Sequence, residues 1–526
     1  MRKYIEKKYE IKEEVPLIIF KIDYYQSDSS IPINGYEVFH PINKTKLNLS
    51  FCRDEFIHFN IPVSIDENKL FKYDPDNDYY KDECYPYTTD NDTDILIKDR
   101  KNEFIENNMS LCEKNCTYIG YDIDTKKAKC KCMFKNKDLI ISELVNQTDF
   151  SYIFANKEES SNIITMKCVQ TLFTKEGLLE NIGSYILLFT ILLFLISIIL
   201  FCKCGYNFLE EDINTIIEEK KEKMKSEAFL NINETIDIKM KEKEKENQMI
   251  NKKPNHKKKK KKRYKLKKSV NSKSISKIEL KTNKNMINFE KKIKQNISLN
   301  FNDYEYNSLS YTTAIKYDER TFINYYFSLI KTKHPFIFSF FPIKDYNSII
   351  VKIDLFFLSL SVFSFINCLF FDESIIHKIY IDEGVYDLKF LIQYITYSFI
   401  ISHTITTIIK YFSLSERNIG EIKKEKNSTT AANKAYKVAK CIKIKYIIFY
   451  CLSLLFLFFF WYYLSSFGAV FQNTQKYLIK NILISFSFSL AYPFIINIFP
   501  SILRIYSLKD SNRDCIFKLS IIIQFI

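Results

Sequence analysis

The sequence predicts a multi-pass α-helical membrane protein of about five spans, with a small strand-containing, disulfide-bearing N-terminal ectodomain and a disordered basic linker. Three observations carry this expectation. Runs of Phe, Ile and Leu alternate with Lys-, Asn-, Asp- and Glu-rich stretches, although the mean hydropathy of the 526-residue chain is only -0.16. The formal charge of +15 is lopsided: residues 1–182 hold 25 Lys and Arg against 32 Asp and Glu, a net of -7 that leaves +22 for the remainder. Seven of the 13 cysteines stand in the acidic part, ahead of the first apolar run.

Residues 1–181 are expected to form the ectodomain. Alternation in Leu17–Tyr25 and Asn34–His40 predicts strands. The opening MRKYIEKKYEIKEEVP has no apolar signal core. An external N-terminal region would then be led across by the first span acting as a reverse signal anchor, or would belong to a longer chain; we expect the latter. Sequons at Asn43, Asn48, Asn91, Asn108, Asn115 and Asn146 are glycosylation candidates. Three further sequons, at Asn233, Asn296 and Asn427, follow the first span.

Outside the cell, cysteines are expected in disulfides. The candidates are Cys52, Cys84, Cys112, Cys116, Cys130, Cys132 and Cys168, an odd number that leaves one thiol over or pairs it between chains. A zinc site is not expected, because C-x3-C and C-x-C are not knuckle spacings and only His40 and His58 stand nearby. Alternating carboxylates at Asp74, Asp76 and Asp78, and at Asp90, Asp92 and Asp94, are the only calcium candidates. An EF-hand counted from Asp74 needs Gly at 79 and Glu at 85, and both are Tyr. Solvated turns are therefore expected there. Cys112-x3-Cys116-x13-Cys130-x-Cys132 resembles the closing part of an EGF-like module, without the Gly and aromatic positions that usually follow its C-x-C.

The first span is expected at 182–204, uncharged before Lys203 and long enough for a hydrocarbon core of roughly 30 Å. Four more are expected at 349–371, 390–409, 446–467 and 481–503. Trp461, Tyr462 and Tyr463 stand where an interfacial belt would lie. Lys352 and Asp354 are expected at the interface, and His403 at a packed helix contact. Gln393, Ser398, Ser402 and His403 interrupt 390–409, and Pro493 falls within the last span.

Loop charges set the direction. Residues 410–445 hold ten Lys and Arg against three acids, and 205–348 holds 32 Lys and Arg, whereas loop 372–389 is acidic. The expected arrangement is N-terminus outside and C-terminus cytosolic, with 504–526 as a cytosolic tail, in the plasma membrane. Only loop 468–480, with Lys476 and Lys480, disagrees.

Residues 205–320 read as a low-complexity cytosolic linker, helical as it leaves the membrane over 210–246. Lys252–Lys268 holds twelve Lys and Arg in seventeen positions. Lys257, Lys258, Lys259, Lys260, Lys261, Lys262 and Arg263 are the lipid-contact candidates. Tethered to a bilayer, each would gain about 1 kcal/mol from an anionic leaflet. Anionic lipids, not nucleic acid, are therefore the expected partners of this run. Ser269, Ser272, Ser274 and Ser276 beside it are phosphorylation candidates that would weaken that attraction.

Residues 321–503 then form the four-helix membrane region. The order of C-x-C, first span, long insert and two hairpins resembles the start of polycystin-1-like proteins. Met133-Phe134-Lys135 stands in place of their cleavage tripeptide, and the insert is too lysine-rich for their β-sandwich. The chain also resembles the membrane-anchoring C-terminal part of large cysteine-rich protist surface proteins.

With 8 Gly and no P-loop, H-E-x-x-H or G-x-S-x-G pattern, no enzyme and no cofactor are expected. The functional expectation is a non-enzymatic membrane glycoprotein for adhesion, recognition or structure, with an external protein or glycan partner. The alternative is a channel or transporter subunit built from spans two to five.

Overall fold

A computed structural model describes residues 2–12, 15–24, 33–52, 56–112, 116–133, 162–205, 207, 210–222, 301–425, 428–510 and 512–525. The chain forms two compact units. The first comprises Met1–Ser184, Cys368–Leu391 and Tyr462–Leu478; the second comprises Tyr185–Asn367, Ile392–Trp461 and Ile479–Ile526.

In the first unit both expected strands form. β1 (Ile18–Tyr24) and β2 (Ile33–Phe39) pair antiparallel, with Ile18 opposite Phe39 and Tyr24 opposite Ile33. Val38 contributes to a small core with Ile5, Ile11, Leu47, Leu49 and Cys52. A second sheet has the order β3-β5-β4, built from β3 (Phe56–Pro62), β4 (Cys116–Asp122) and β5 (Lys127–Met133). The two-residue period of a strand puts Ala128, Cys130 and Cys132 on the buried face of β5, while the lysines between them point away.

That face carries two disulfides, Cys112–Cys130 and Cys116–Cys132, and a third joins Cys84 to Cys168. Six of the seven candidates are therefore bridged. Cys52 joins none of these disulfides and packs as a buried apolar side chain in the β1–β2 core. The Cys84–Cys168 bridge closes a loop of 84 residues, the kind for which chain-entropy arguments give the largest effect, on the order of 4 kcal/mol.

The segment between β3 and β4 forms an aromatic core of Tyr79, Tyr80 and Phe104, with Phe71, Tyr85 and Tyr87 against it. Its organiser is Arg100, on the helix Ile97–Glu106. Buried, Arg100 donates from Nε to the Ile95 carbonyl (3.2 Å), from Nη1 to Tyr79 (3.2 Å) and from Nη2 to Tyr85 (2.8 Å). Its guanidinium lies 4.8 Å from the Tyr79 ring centroid. One rigid fork thus satisfies three backbone acceptors from two segments.

Five long helices follow: α1 (Ile182–Leu200), α2 (Ile349–Phe370), α3 (Leu388–Ser413), α4 (Ser428–Val470) and α5 (Gln475–Ile496). Among the described residues, four stretches are long and apolar enough to cross a membrane: Ile182–Lys203, Ile349–Phe370, Thr429–Val470 and Gln475–Ser507. The last runs through α5, with Pro493 inside it, into the helix Ile498–Ser507. α3 contains the expected span 390–409 and has sufficient length, but its Gln, Ser, Thr and His residues keep it out of that group.

Two expectations about the basic segments need correction. Residues 410–445 are largely helical, not a loop: Glu416–Lys424 is one helix and α4 already begins at Ser428. At 1.5 Å per residue α4 is roughly 64 Å long, about twice a hydrocarbon core. The reason is a buried stripe at helical spacing, Ala431, Ala435, Val438, Ile442 and Tyr446. In the second unit, Ala435, Val438, Ile442 and Tyr446 cluster with Ile213, Ile216, Ile419 and Ile422. Within the expected linker, residues 303–307 and 311–317 are helical, as Asp303–Asn307 and Tyr311–Tyr317. The first opens on a capping box in which Asn302 and Glu305 satisfy each other's backbone N–H.

Replacing Arg100 by Ala leaves three buried carbonyls without donors, at a cost of about 3 kcal/mol. The expected outcome is a lower unfolding midpoint and loss of the near-ultraviolet tyrosine signal, read by circular dichroism of the full chain in detergent.

Candidate functional site

The candidate site lies in the first unit, which gathers the disulfide-bearing N-terminal region with the segments around the two short interhelical loops. Asp94 sits one strand bridge from Thr88, on the turn that precedes the Arg100 helix. Its Oδ2 accepts a hydrogen bond from the Thr474 backbone N–H at 2.6 Å. Thr474 immediately precedes α5, so the carboxyl occupies the N-terminal end of that helix, where exposed N–H groups favour an anion. Beside it, Asn473 Nδ2 donates to Thr88 Oγ1 at 3.0 Å. Burial is the main influence on Asp94 and pushes its carboxyl up to about 6, while the Thr474 and Asn473 bonds act in the opposite direction.

The other loop is held by different chemistry. Asp99, buried on the Arg100 helix, meets His377 Nδ1 at 2.8 Å. His377 lies on the helix Glu373–Ile381, which Asp372 caps through the Ile375 N–H. The Gly384 carbonyl that follows accepts from Tyr477 OH at 2.7 Å.

The start of α1 is fastened too. Asn181, buried at 1% exposure, donates from Nδ2 to the Ser465 carbonyl at 2.7 Å and accepts from the Ser184 N–H at 3.0 Å. Gly468 makes this approach possible, since a Cβ there would lie 2.7 Å from Asn181 Oδ1. Gln475 completes the contact, accepting from the Ile182 N–H at 3.0 Å and donating to the Glu180 carbonyl at 2.6 Å.

The sequence-derived site residues distribute unevenly over this framework. Asn43, Asn48, Asn91 and Asn108 are exposed. Asn43 and Asn48 each accept the N–H of their own sequon hydroxyl residue, Thr45 and Ser50, in an Asx turn. Asn115 and Asn146 lie outside the described residues, as do Asn233, Asn296, Asn427, Lys257–Lys262, Arg263, the linker serines and residues 223–246. The acidic candidates are engaged separately. Asp74 accepts the Asp76 N–H, Asp76 pairs with Lys81, Asp90 lies 3.6 Å from Lys69, and Asp94 belongs to Thr474. Among the described residues no three His, Cys, Asp or Glu side chains converge as a metal site, and His40 and His58 bring none together.

In the second unit the expectation for Lys352 and Asp354 needs correction. Both are buried in protein instead of reaching an interface, at 2% and 1% exposure. Lys352 pairs with Asp345 at 3.1 Å. Asp354 accepts from Tyr450 OH at 3.0 Å and from the Ser197 hydroxyl. Tyr463, expected in an aromatic belt, is fully buried, and Tyr462 donates to the Met166 carbonyl at 2.6 Å within the first unit. His403 does sit in a packed contact, between Phe399 and Tyr492.

Sequence reasoning missed a buried carboxyl at Glu416. Its Oε1 accepts from Asn302 Nδ2 and its Oε2 from Asn347 Nδ2, each at 2.8 Å. Burial is the largest influence on Glu416, and the Asp345 charge adds to it; together they push the group up to about 8. In the sequence it is one acid in a lysine-rich loop, and no local signal marks it.

No protein-family model, characterised protein or solved structure matches this chain.

Because folded Asp94 holds its proton up to about 6 instead of 3.8, the unfolded chain releases it first as pH rises. Its contribution is therefore fully present at low pH and is lost between those two values. Asp94→Asn is expected to flatten the fall of the unfolding midpoint over that window relative to the unsubstituted protein, measured by thermal melts in detergent.

Proposed function

We propose that this chain is a non-enzymatic, multi-pass surface glycoprotein of the plasma membrane, in which the disulfide-bearing N-terminal region is held on the external ends of its own helices as a recognition or adhesion module. The observation that carries the reading is the composition of the first unit. Residues 1–184 are bonded to both short loops through Asp94–Thr474, Asp99–His377 and Asn181–Ser465. Disulfides suit an oxidising, external compartment. The exposed sequons and the basic character of the opposite helix ends agree with an external N-terminus and a cytosolic C-terminus.

The same bonds support five crossings. α2 ends, and α3 begins, within the first unit, and so does the last part of α4. If α2 and α4 cross, the chain between Phe371 and Ser428 must return across the bilayer once. Among the described residues there, α3 alone is long enough, at 26 residues. Its polar side chains are then to be satisfied by neighbouring helices.

A tag between Asp387 and Lys389 and another after Glu425 test this arrangement on intact cells. Protease is expected to remove the first and spare the second. The same accessibility at both positions would sink the five-span reading. Asn→Gln changes at Asn43, Asn48, Asn91 and Asn108 should each increase gel mobility.

A channel or transporter subunit is the second reading, favoured by the carboxyl of Asp354 inside a candidate span. Asp354→Asn tests it. On the glycoprotein reading, ion flux through reconstituted vesicles stays at the protein-free baseline in both proteins; a flux that Asp354→Asn abolishes establishes transport.

A further inference from the structure

We propose that the helix Phe322–Lys333 and the short helix Pro335–Phe340 form an in-plane collar whose aromatic face lies among the acyl chains of the cytosolic leaflet. Neither helix belongs to a candidate span. The inference rests on the reading that α2, α3 and α5 cross the bilayer.

Three hydrogen bonds within the second unit set the depth. Tyr326 OH donates to the Phe494 carbonyl of α5 at 2.9 Å, and Lys410 of α3 donates to the Thr332 carbonyl at 3.0 Å. Ser339 Oγ donates to the Lys352 carbonyl of α2 at 2.8 Å, while the Lys352 side chain stays on Asp345. At 1.5 Å per residue, Phe494, Lys410 and Lys352 lie roughly 29, 33 and 27 Å along their helices from Gln475, Leu388 and Phe370. On the five-span reading those last three residues are external helix ends. Each contact therefore falls about one hydrocarbon core away from them, roughly 30 Å. Residues 322–341 are thus tied to α5, α3 and α2 in turn, at the level where acyl chains give way to headgroups.

The face that this segment leaves exposed is apolar. Tyr325, Ser328 and Leu329 are buried, whereas Phe322, Ile323 and Phe327 share the opposite arc, bordered by Asn324 and Lys331. Ile323 and Phe327 are 61% and 55% exposed, and Phe341, at the end of the second helix, is 52% exposed. Phe336 and Phe340 stand edge-on to Phe356 of α2, with centroids 6.0 Å and 5.1 Å away. The aromatic band therefore continues onto a candidate span. An arc of Phe and Ile edged by Asn and Lys is the pattern of a helix lying in a membrane interface. A docked protein would need a patch on one side of the helices. A band that follows three helices in turn at one depth fits lipid.

Fluorescence of single-tryptophan variants of the full chain in lipid nanodiscs tests the collar. Trp461 is the one tryptophan of the chain, so W461F supplies a silent background. In it F327W and F340W should each be quenched about twofold by phosphatidylcholine brominated in the upper acyl chain, as for rings roughly 5–10 Å below the headgroups. Both should resist aqueous iodide. Y436W, on the exposed part of α4 and roughly 15 Å before Tyr446, should show the reverse. Iodide quenching of F327W equal to that of Y436W, with no effect of brominated lipid, places the face in water and overturns the proposal. Quenching of F327W by neither agent means that protein covers the face, whether a second copy or another part of this chain, and overturns it too. A small apolar diazirine on the unsubstituted protein gives a readout free of any variant. Label is expected within 322–341, and label in α1 without label there overturns the collar. If the tags around α3 show equal accessibility while brominated lipid still quenches F327W, the five-span reading fails and the collar stands. If the tags behave as expected and F327W faces water, the collar alone fails.

Discussion

Within a bilayer no water is at hand to bond a stray polar group, so every buried one must find its partner in the protein. Asp354 is where this constraint acts most strongly. A carboxyl in the second turn of α2 is tolerable only because Tyr450 of α4 and Ser197 of α1 both bond to it. That one requirement sets the relative rotation of three helices within the second unit. It also explains why Phe201 packs against the rings of Tyr446 and Tyr450, at 5.0 Å and 5.4 Å. Asn367 does the same for α2 and α5, reaching Ser485 at 2.7 Å. Apolar side chains are interchangeable against lipid; these polar pairs are not, and they confer specificity on an otherwise uniform set of surfaces.

The first unit meets a different constraint. Among the described residues of its N-terminal region, three cores are small: a Tyr and Phe cluster, a cysteine-lined sheet and an aliphatic hairpin core. Cores of that size supply only a few kcal/mol each, which is why small external domains add covalent staples. Here the staples lie on one face of β5 and between Cys84 and Cys168, while Arg100 holds the aromatic cluster through backbone carbonyls. Fastening to the helix ends adds to this stability. Asn181 is the clearest case, because the residue that opens α1 is also the residue that bonds α4, so anchoring and folding of the unit become one event.

The fold was legible in the sequence wherever the signal was periodic and local. Alternation marked β1 and β2, and uniform apolar runs marked α1, α2, α4 and α5. The α4 shaft was not legible, because Lys434, Lys437, Lys440, Lys443 and Lys445 dominate its composition. Its buried stripe opens on Ala431, Ala435 and Val438, residues too small to stand out until their partners Ile419 and Ile422 are known. Disulfide pairing was open for the usual reason: seven cysteines allow many pairings, and only the strand register places Cys116 opposite Cys132. The candidate site was least legible of all. Asp94 read as one carboxylate of an alternating turn, and its partner lies 380 positions away. Glu416 likewise owes its character to Asn302 and Asn347, which no local pattern links to it.

The buried charges of the second unit bear on the choice between an anchor and a conduit. A group that moves an ion or proton must exchange partners, and that exchange is cheap only where one side faces water. Asp354 is bonded from two other helices, and Lys352 is fixed on Asp345. Arg504 shares Asp318 with Arg320, its Nη2 at 3.2 Å from the carboxylate and its guanidinium 4.1 Å from the Phe517 ring centroid. Releasing any of these would break contacts on more than one element at once, and opening a buried pair costs on the order of 3 kcal/mol or more. Such groups are suited to holding helices in register, not to cycling between states.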